Sequence, residues 1–143
     1  MIAMTTSTDT RHAAGSFDLH DWQEEYYDET PAAKLARVSN RKTFHGDITG
    51  TSAAQLLTVG VPVEGSAEFA GVAYVAIERI TGTVHGKQGS FVVLHVADRS
   101  AGMTVSVVAG SADGELTGLR GDLGIQRAED GSHTYTFDYH IGD

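Results

Sequence analysis

Apolar residues in this chain recur mostly at every second position. "HTYTFDYH" sets Tyr135, Phe137 and Tyr139 against Thr136, Asp138 and His140, and "GSFDLHDW" sets Phe17, Leu19 and Asp21 against Asp18, His20 and Trp22. A period of two is that of a strand, whose side chains alternate between faces. The same reading covers "LARVSNRKTFHGDITG", "TSAAQLLTV", "AGVAYVAIERITGTVH", "GSFVVLHVAD", "GMTVSVVAG" and "GELTGLRGDLGIQRA", separated by short turns rich in Gly, Asp and Asn. No useful length carries the i, i+3, i+4, i+7 stripe of a helix. "DETPAAKLARVS" comes closest, but Pro31 and the stretch that follows argue against it. Eight strands at short spacing with no crossover helices predict an all-β protein. Its simplest form is an eight-stranded antiparallel up-and-down β-barrel, because closing the sheet removes its edges. Glycines about four residues apart in "FHGDITGTSA", "RITGTVHGKQGS" and "ELTGLRGDLG" mark the sharp bends a small barrel needs.

One hairpin breaks the pattern in an informative way. "YVAIERITGTVHGKQGSFVVLH", Tyr74 to His95, is the most apolar part of the chain, yet it contains Glu78, Arg79 and His95. Centring the turn on Lys87-Gln88 pairs Val84 with Phe91 and Ile80 with His95. Glu78, Ile80, Val84, Phe91, Val93 and His95 then share one face with Tyr74, and Arg79 lies on the other. If that face lines the interior, a carboxylate and an imidazole look into an apolar space together. Burial raises a carboxyl pKa, and a nearby imidazole can share its proton. Glu78 and His95 are therefore the candidate catalytic pair, a general base and its partner. The competing expectation places Glu78 outside in a surface ion pair and His95 as a satisfied core histidine.

Composition narrows the options. The chain has 143 residues, enough for one domain with room for a ligand cavity. "MIAMTTSTDTRHAAG" has no period, so residues 1–14 are expected to be a flexible leader and 15–143 the barrel. It lacks the apolar core of a secretory signal, and the longest apolar run is too short to span a bilayer as a helix. The cytoplasm is the default expectation. Cysteine is absent, which excludes disulfides, thiolate catalysis and Cys-based zinc sites. The net charge of −9, with no Lys/Arg cluster, argues against nucleic acid and anionic membranes as partners.

Other signals are weaker. "HGD" puts His45 and Asp47 at a spacing metals can use, but two ligands do not make a site, so no metal is expected. "GSADGELTGLRG" leads into a strand, whereas a phosphate cradle needs a helix N-terminus. No cofactor motif is present. Tyr135 and Tyr139 read most simply as core, or as tyrosines that orient a ligand at a cavity mouth. Trp22, the only tryptophan, either caps one end of the barrel or acts as a lid. With Tyr74, Phe91 and Val93, these three complete the candidate ligand-contacting set.

Several segments also carry a resemblance. They are "WQEEYY" from Trp22, "KTFHGDITG" from Lys42, "ERITG" with "GKQGSFVVLH" between Glu78 and His95, "GSADGELTGLRG" from Gly110 and "HTYTFDYHI" at the end. In order and spacing these resemble the bacterial domain-of-unknown-function family thirty-two twenty-four. Its fold is similar to the allene oxide cyclase-like barrels, and the resemblance covers roughly Gly15 to Ile141. It implies an eight-stranded antiparallel barrel with a central cavity and brings no established reaction. The expectation is a cavity that binds a small apolar or amphipathic molecule. Cofactor-free isomerisation or cyclisation is the enzymatic form of that expectation; the alternatives are a non-catalytic carrier or a structural module working as a homodimer.

Overall fold

The computed structural model describes residues 9–142. Eight antiparallel strands close into a ring in sequence order: β1 (Arg11–Glu29), β2 (Lys34–Gly46), β3 (Ile48–Pro62), β4 (Phe69–Val84), β5 (Lys87–Asp98), β6 (Gly102–Val107), β7 (Leu119–Arg127) and β8 (His133–Ile141). The up-and-down meander expected from the alternation is therefore present, and β8 returns to pair with β1. One short 3-10 turn, Gly114–Leu116, precedes β7 and buries Leu116.

The leader expectation needs correction at its boundary. Arg11 to Ala14 pair with Tyr139 to Thr136 of β8, and Ala13 is buried in the core. Closing the ring requires a partner for β8, and this stretch supplies it although it shows no apolar period. Residues 1–8 of the expected leader lie outside the described residues.

The ring is uneven in height. β1 to β4 are 13 to 19 residues long, whereas β6, β7 and β8 are 6, 9 and 9. β8 begins at His133 opposite Phe17, so β1 beyond Phe17 pairs with β2 alone. β6 and β7 are joined through a single residue pair, Ser106 and Asp122, reinforced by a 2.8 Å side-chain hydrogen bond. A tall wall thus faces a low one, and the barrel is open at the end where the tall wall projects.

The other end is packed shut. Ile48, Val84, Leu119, Phe91 and Phe137 are all essentially inaccessible, and Phe137 stacks on both Phe91 and Tyr139 at 5.8 and 4.9 Å between ring centres. Each such side chain contributes roughly 1.5–3 kcal/mol by leaving water. Close backbone approach at this end demands glycine: a Cβ on Gly82 (φ +155°) would lie 1.9 Å from the carbonyl oxygen of Thr49.

Four of the expected ligand-contacting residues belong to this plug. Phe91, Val93, Tyr135 and Tyr139 are buried in the core and do not line the cavity. The Tyr135 hydroxyl accepts the Ile48 N–H at 2.8 Å and donates to the His45 carbonyl at 2.9 Å, bridging the β2–β3 turn. The Tyr139 hydroxyl meets His85 Nδ1. Their polar tips are committed to the backbone and the turn.

The key hairpin turns on His85-Gly86 (φ +48° and +80°), two residues earlier than expected, with Val84 opposite Lys87 and Glu78 opposite Val93. Two left-handed central residues match the strand twist. An even displacement leaves every side chain on its expected face, so the shared orientation of Glu78 and His95 survives. Tyr135→Phe should lose about 1–3 kcal/mol in urea unfolding, because the buried Ile48 N–H and His45 carbonyl lose their partner. A loss below a few tenths would show that the hydroxyl does not tie this turn.

Candidate functional site

The open half of the barrel encloses a cavity of about 710 Å³, within the range of small-molecule sites. Its walls are apolar: Val38 on β2, Ala54 and Leu56 on β3, Ala76 on β4 and Met103 on β6. Trp22 and Tyr74, both expected to contact a ligand, line it. Trp22 lies in a bulge of β1 with Asp21, which takes φ +57°, and stands half-exposed at the mouth.

The floor is a polar belt on the inward face of four neighbouring strands. It comprises Asn40 and Lys42 on β2, Ser52 on β3, Glu78 on β4 and His95 on β5, all buried. The register explains their meeting. Ser52 pairs with Lys42, Ala54 with both Asn40 and Glu78, and Ala76 with His95, so Glu78 is diagonal to Ser52 on one side and His95 on the other. Small alanines between the polar residues leave room for the long side chains to converge.

Glu78, only 1% exposed, is the centre of the belt. Its Oε1 accepts from His95 Nε2 at 2.8 Å and from Lys42 Nζ at 3.2 Å, and its Oε2 accepts from Ser52 Oγ at 2.5 Å. Lys42 also lies 4.6 Å from the centre of the Phe17 ring, a cation–π contact. The expected rise in the Glu78 pKa is reversed. Burial is the largest single influence and pushes it up. The His95 hydrogen bond, the Lys42 charge, the Ser52 hydrogen bond and the His95 charge together outweigh burial and bring the pKa to about 2. The carboxylate is therefore ionised and fully engaged, and His95 Nε2 carries the proton it donates.

That commitment leaves the other imidazole nitrogen bare. His95 Nδ1 and Asn40 Oδ1 are buried side-chain atoms with no hydrogen-bond partner. Other atoms of His95 line the cavity, and its ring is oriented by Glu78 as a carboxylate orients imidazole in catalytic triads. Tyr74 tilts over His95 with ring centres 6.1 Å apart. Its phenol pKa is raised by burial and secondarily by the Glu78 charge, which keeps it neutral.

The structure therefore unites Glu78, His95, Tyr74 and Trp22 at one cavity and leaves Phe91, Val93, Tyr135 and Tyr139 outside it. Asn40, Lys42 and Ser52 were missed. Their signal was present: in "ARVSNRKTF", Ala36, Val38, Asn40, Lys42 and Phe44 alternate on one apolar-flanked face. His45 and Asp47 do not converge. His45 pairs with Asp18 at 2.9 Å, and Asp47 accepts the Ala14 N–H at 2.9 Å. Among the described residues, no group of three or more metal-ligating side chains is assembled.

Comparison with known proteins agrees with this architecture. The family model described as "Protein of unknown function (DUF3224)" matches residues 13–139. The chain belongs to the DUF3224 family. It is also similar to a crystal structure of a DUF3224 protein of unknown function from Shewanella oneidensis MR-1. That structure is 31% identical, with a TM-score of 0.78, over 94% of this chain and 100% of that one. No curated protein matches the chain. Family membership thus supports the barrel and leaves the chemistry to the site.

The Glu78 pKa has a consequence for stability. Because folding lowers it from 4.5 to about 2, the stabilisation is fully present above pH 4.5 and is lost as pH falls through 2. The stability at stake is on the order of 3 kcal/mol. Glu78→Gln should cost about 3–5 kcal/mol at pH 7, since Lys42 is left buried without its counter-charge. The gap to the unsubstituted protein should narrow markedly at pH 3 in denaturant titrations. A gap unchanged between the two pH values would mean that Glu78 is not ionised in the fold.

Proposed function

We propose that this protein is a small-molecule-binding barrel that receives an apolar or amphipathic molecule through its open end. The apolar part lies against the aliphatic walls, and the polar part meets the belt around Glu78. The observation that carries this reading is the pairing of a 710 Å³ cavity with a belt of buried polar side chains at its floor. A barrel selected for stability alone would gain from filling that space with aliphatic side chains, since buried ion pairs are often matched or bettered by hydrophobic replacements.

A second reading, cofactor-free isomerisation or cyclisation, is favoured by one specific feature: an imidazole, His95, lining the cavity with its Nε2 held by Glu78. In that reading His95 accepts and returns a proton, and Glu78 is a positioning residue. The cavity supplies the rest by holding a flexible substrate near its reactive shape away from water.

Native mass spectrometry of protein purified from its own host should show a co-purifying mass that disappears on denaturation. Trp22 fluorescence, reporting from the mouth, should change as the extracted compound is titrated back. Leu56→Trp, which fills the cavity from the β3 wall without touching the belt, should weaken binding at least tenfold. Undiminished affinity in that variant would place the ligand elsewhere.

A further inference from the structure

The alternation that turns Ala76 and Glu78 inward turns their neighbours out to solvent, and there the chain is aliphatic. Val75 and Ile77 on β4 stand directly opposite Val96 and Leu94 on β5, and Leu57 on β3 stands opposite Val75. All five lie on the outer face, with 39 to 52% of each exposed. Single exposed aliphatic residues are ordinary on a protein surface, but these five are mutual neighbours across three strands. Together they expose on the order of 400 Å² of unbroken apolar surface, a size that often marks a contact site. Their lateral neighbours Gln55, Thr104 and Ser106 carry no charge.

We propose that this outer face of β3, β4 and β5 docks a second copy of the chain, sheet against sheet, about a two-fold axis that crosses the strands.

Two observations select a second copy. The first is area. A standard interface buries about 800 Å² per partner, so the patch supplies its apolar centre and the polar rows beside it supply the remainder. The second is charge. A net charge of −9 makes two copies repel over most of their surfaces, so a stable pair needs compensating contacts where they meet. Along the strands the patch ends at Arg79 on β4 in one direction and at Asp98 on β5 in the other, both exposed. Asp98 stands opposite Ala73, so both charges lie three residues, ~10 Å, from the level of Ala76 at the centre. An axis across the strands at that level brings each Arg79 within one strand spacing of the partner's Asp98. An axis along the strands would instead set Arg79 against the same residue of the partner, which repels.

Sedimentation velocity of the full chain over a micromolar concentration series tests the proposal. The protein should sediment at twice the chain mass. Ile77→Lys, a change at a half-exposed position that leaves the core untouched, should weaken association at least tenfold with an unchanged urea midpoint. Arg79→Glu and Asp98→Lys should each weaken self-association several-fold. An equimolar mixture of those two variants should associate more tightly than either alone, because the mixed pair places unlike charges at both contacts.

A chain that stays monomeric across the series overturns the proposal and leaves the face to a different partner or to none. A dimer undiminished in Ile77→Lys overturns it by placing the contact elsewhere. Masses that grow beyond two copies overturn it as well, since a closed two-fold contact stops at two. A mixture no tighter than its components overturns the axis, and the docking geometry falls with it.

Discussion

One buried carboxylate organises the useful half of this barrel. Glu78 collects an ammonium, an imidazole N–H and a hydroxyl from three different strands, tying β2, β3, β4 and β5 together across their inner face. Inside a low-dielectric interior such contacts are strong while complete and damaging when any partner is missing. The belt therefore constrains everything around it. Lys42 must reach inward past Phe17, the residues between the polar positions must be small, and the β4–β5 register must keep Glu78 and His95 on one face.

The shape of the cavity follows from strand length more than from side-chain size. Because β6, β7 and β8 stop short, the upper inner surfaces of β1 to β4 have no opposite wall to pack against. Trp22, Leu56 and Tyr74 occupy those surfaces and stay accessible in the open space, whereas lower on the same strands Phe17, Phe44, Ile48 and Ile80 meet neighbours and are buried. The same sheet is thus core at one end and cavity wall at the other, with the polar belt at the boundary. At that level a charged group is shielded from bulk water yet remains next to the cavity.

Much of this was legible in the sequence, for a physical reason: period-two alternation encodes strands, and short turns leave antiparallel closure as the simplest topology. The inward orientation of Glu78 and His95 survived a misplaced turn because parity, and not exact register, decides the face. What the sequence hid depends on height along the barrel. Tyr135 and Tyr74 share the interior, but whether an inward residue meets a plug or a void depends on how far the strands across the ring extend. The sign of the Glu78 pKa shift was hidden for a similar reason. Burial was foreseeable, but Lys42 and Ser52 come from other strands, and their convergence is a property of the closed sheet. The first strand was under-read because Arg11 to Ala14 are small or polar and are ordered by pairing with β8.

The belt also sets the protonation state of its central member. A desolvated carboxylate standing alone would be a strong base, and the composition of the hairpin suggested that role for Glu78. Three donors remove it: each hydrogen bond that stabilises the ionised form lowers its appetite for a proton. The same bond from His95 fixes the orientation of the ring, whose Nε2–H the carboxylate holds. Glu78 thus fixes the geometry of the His95 ring at the cavity floor.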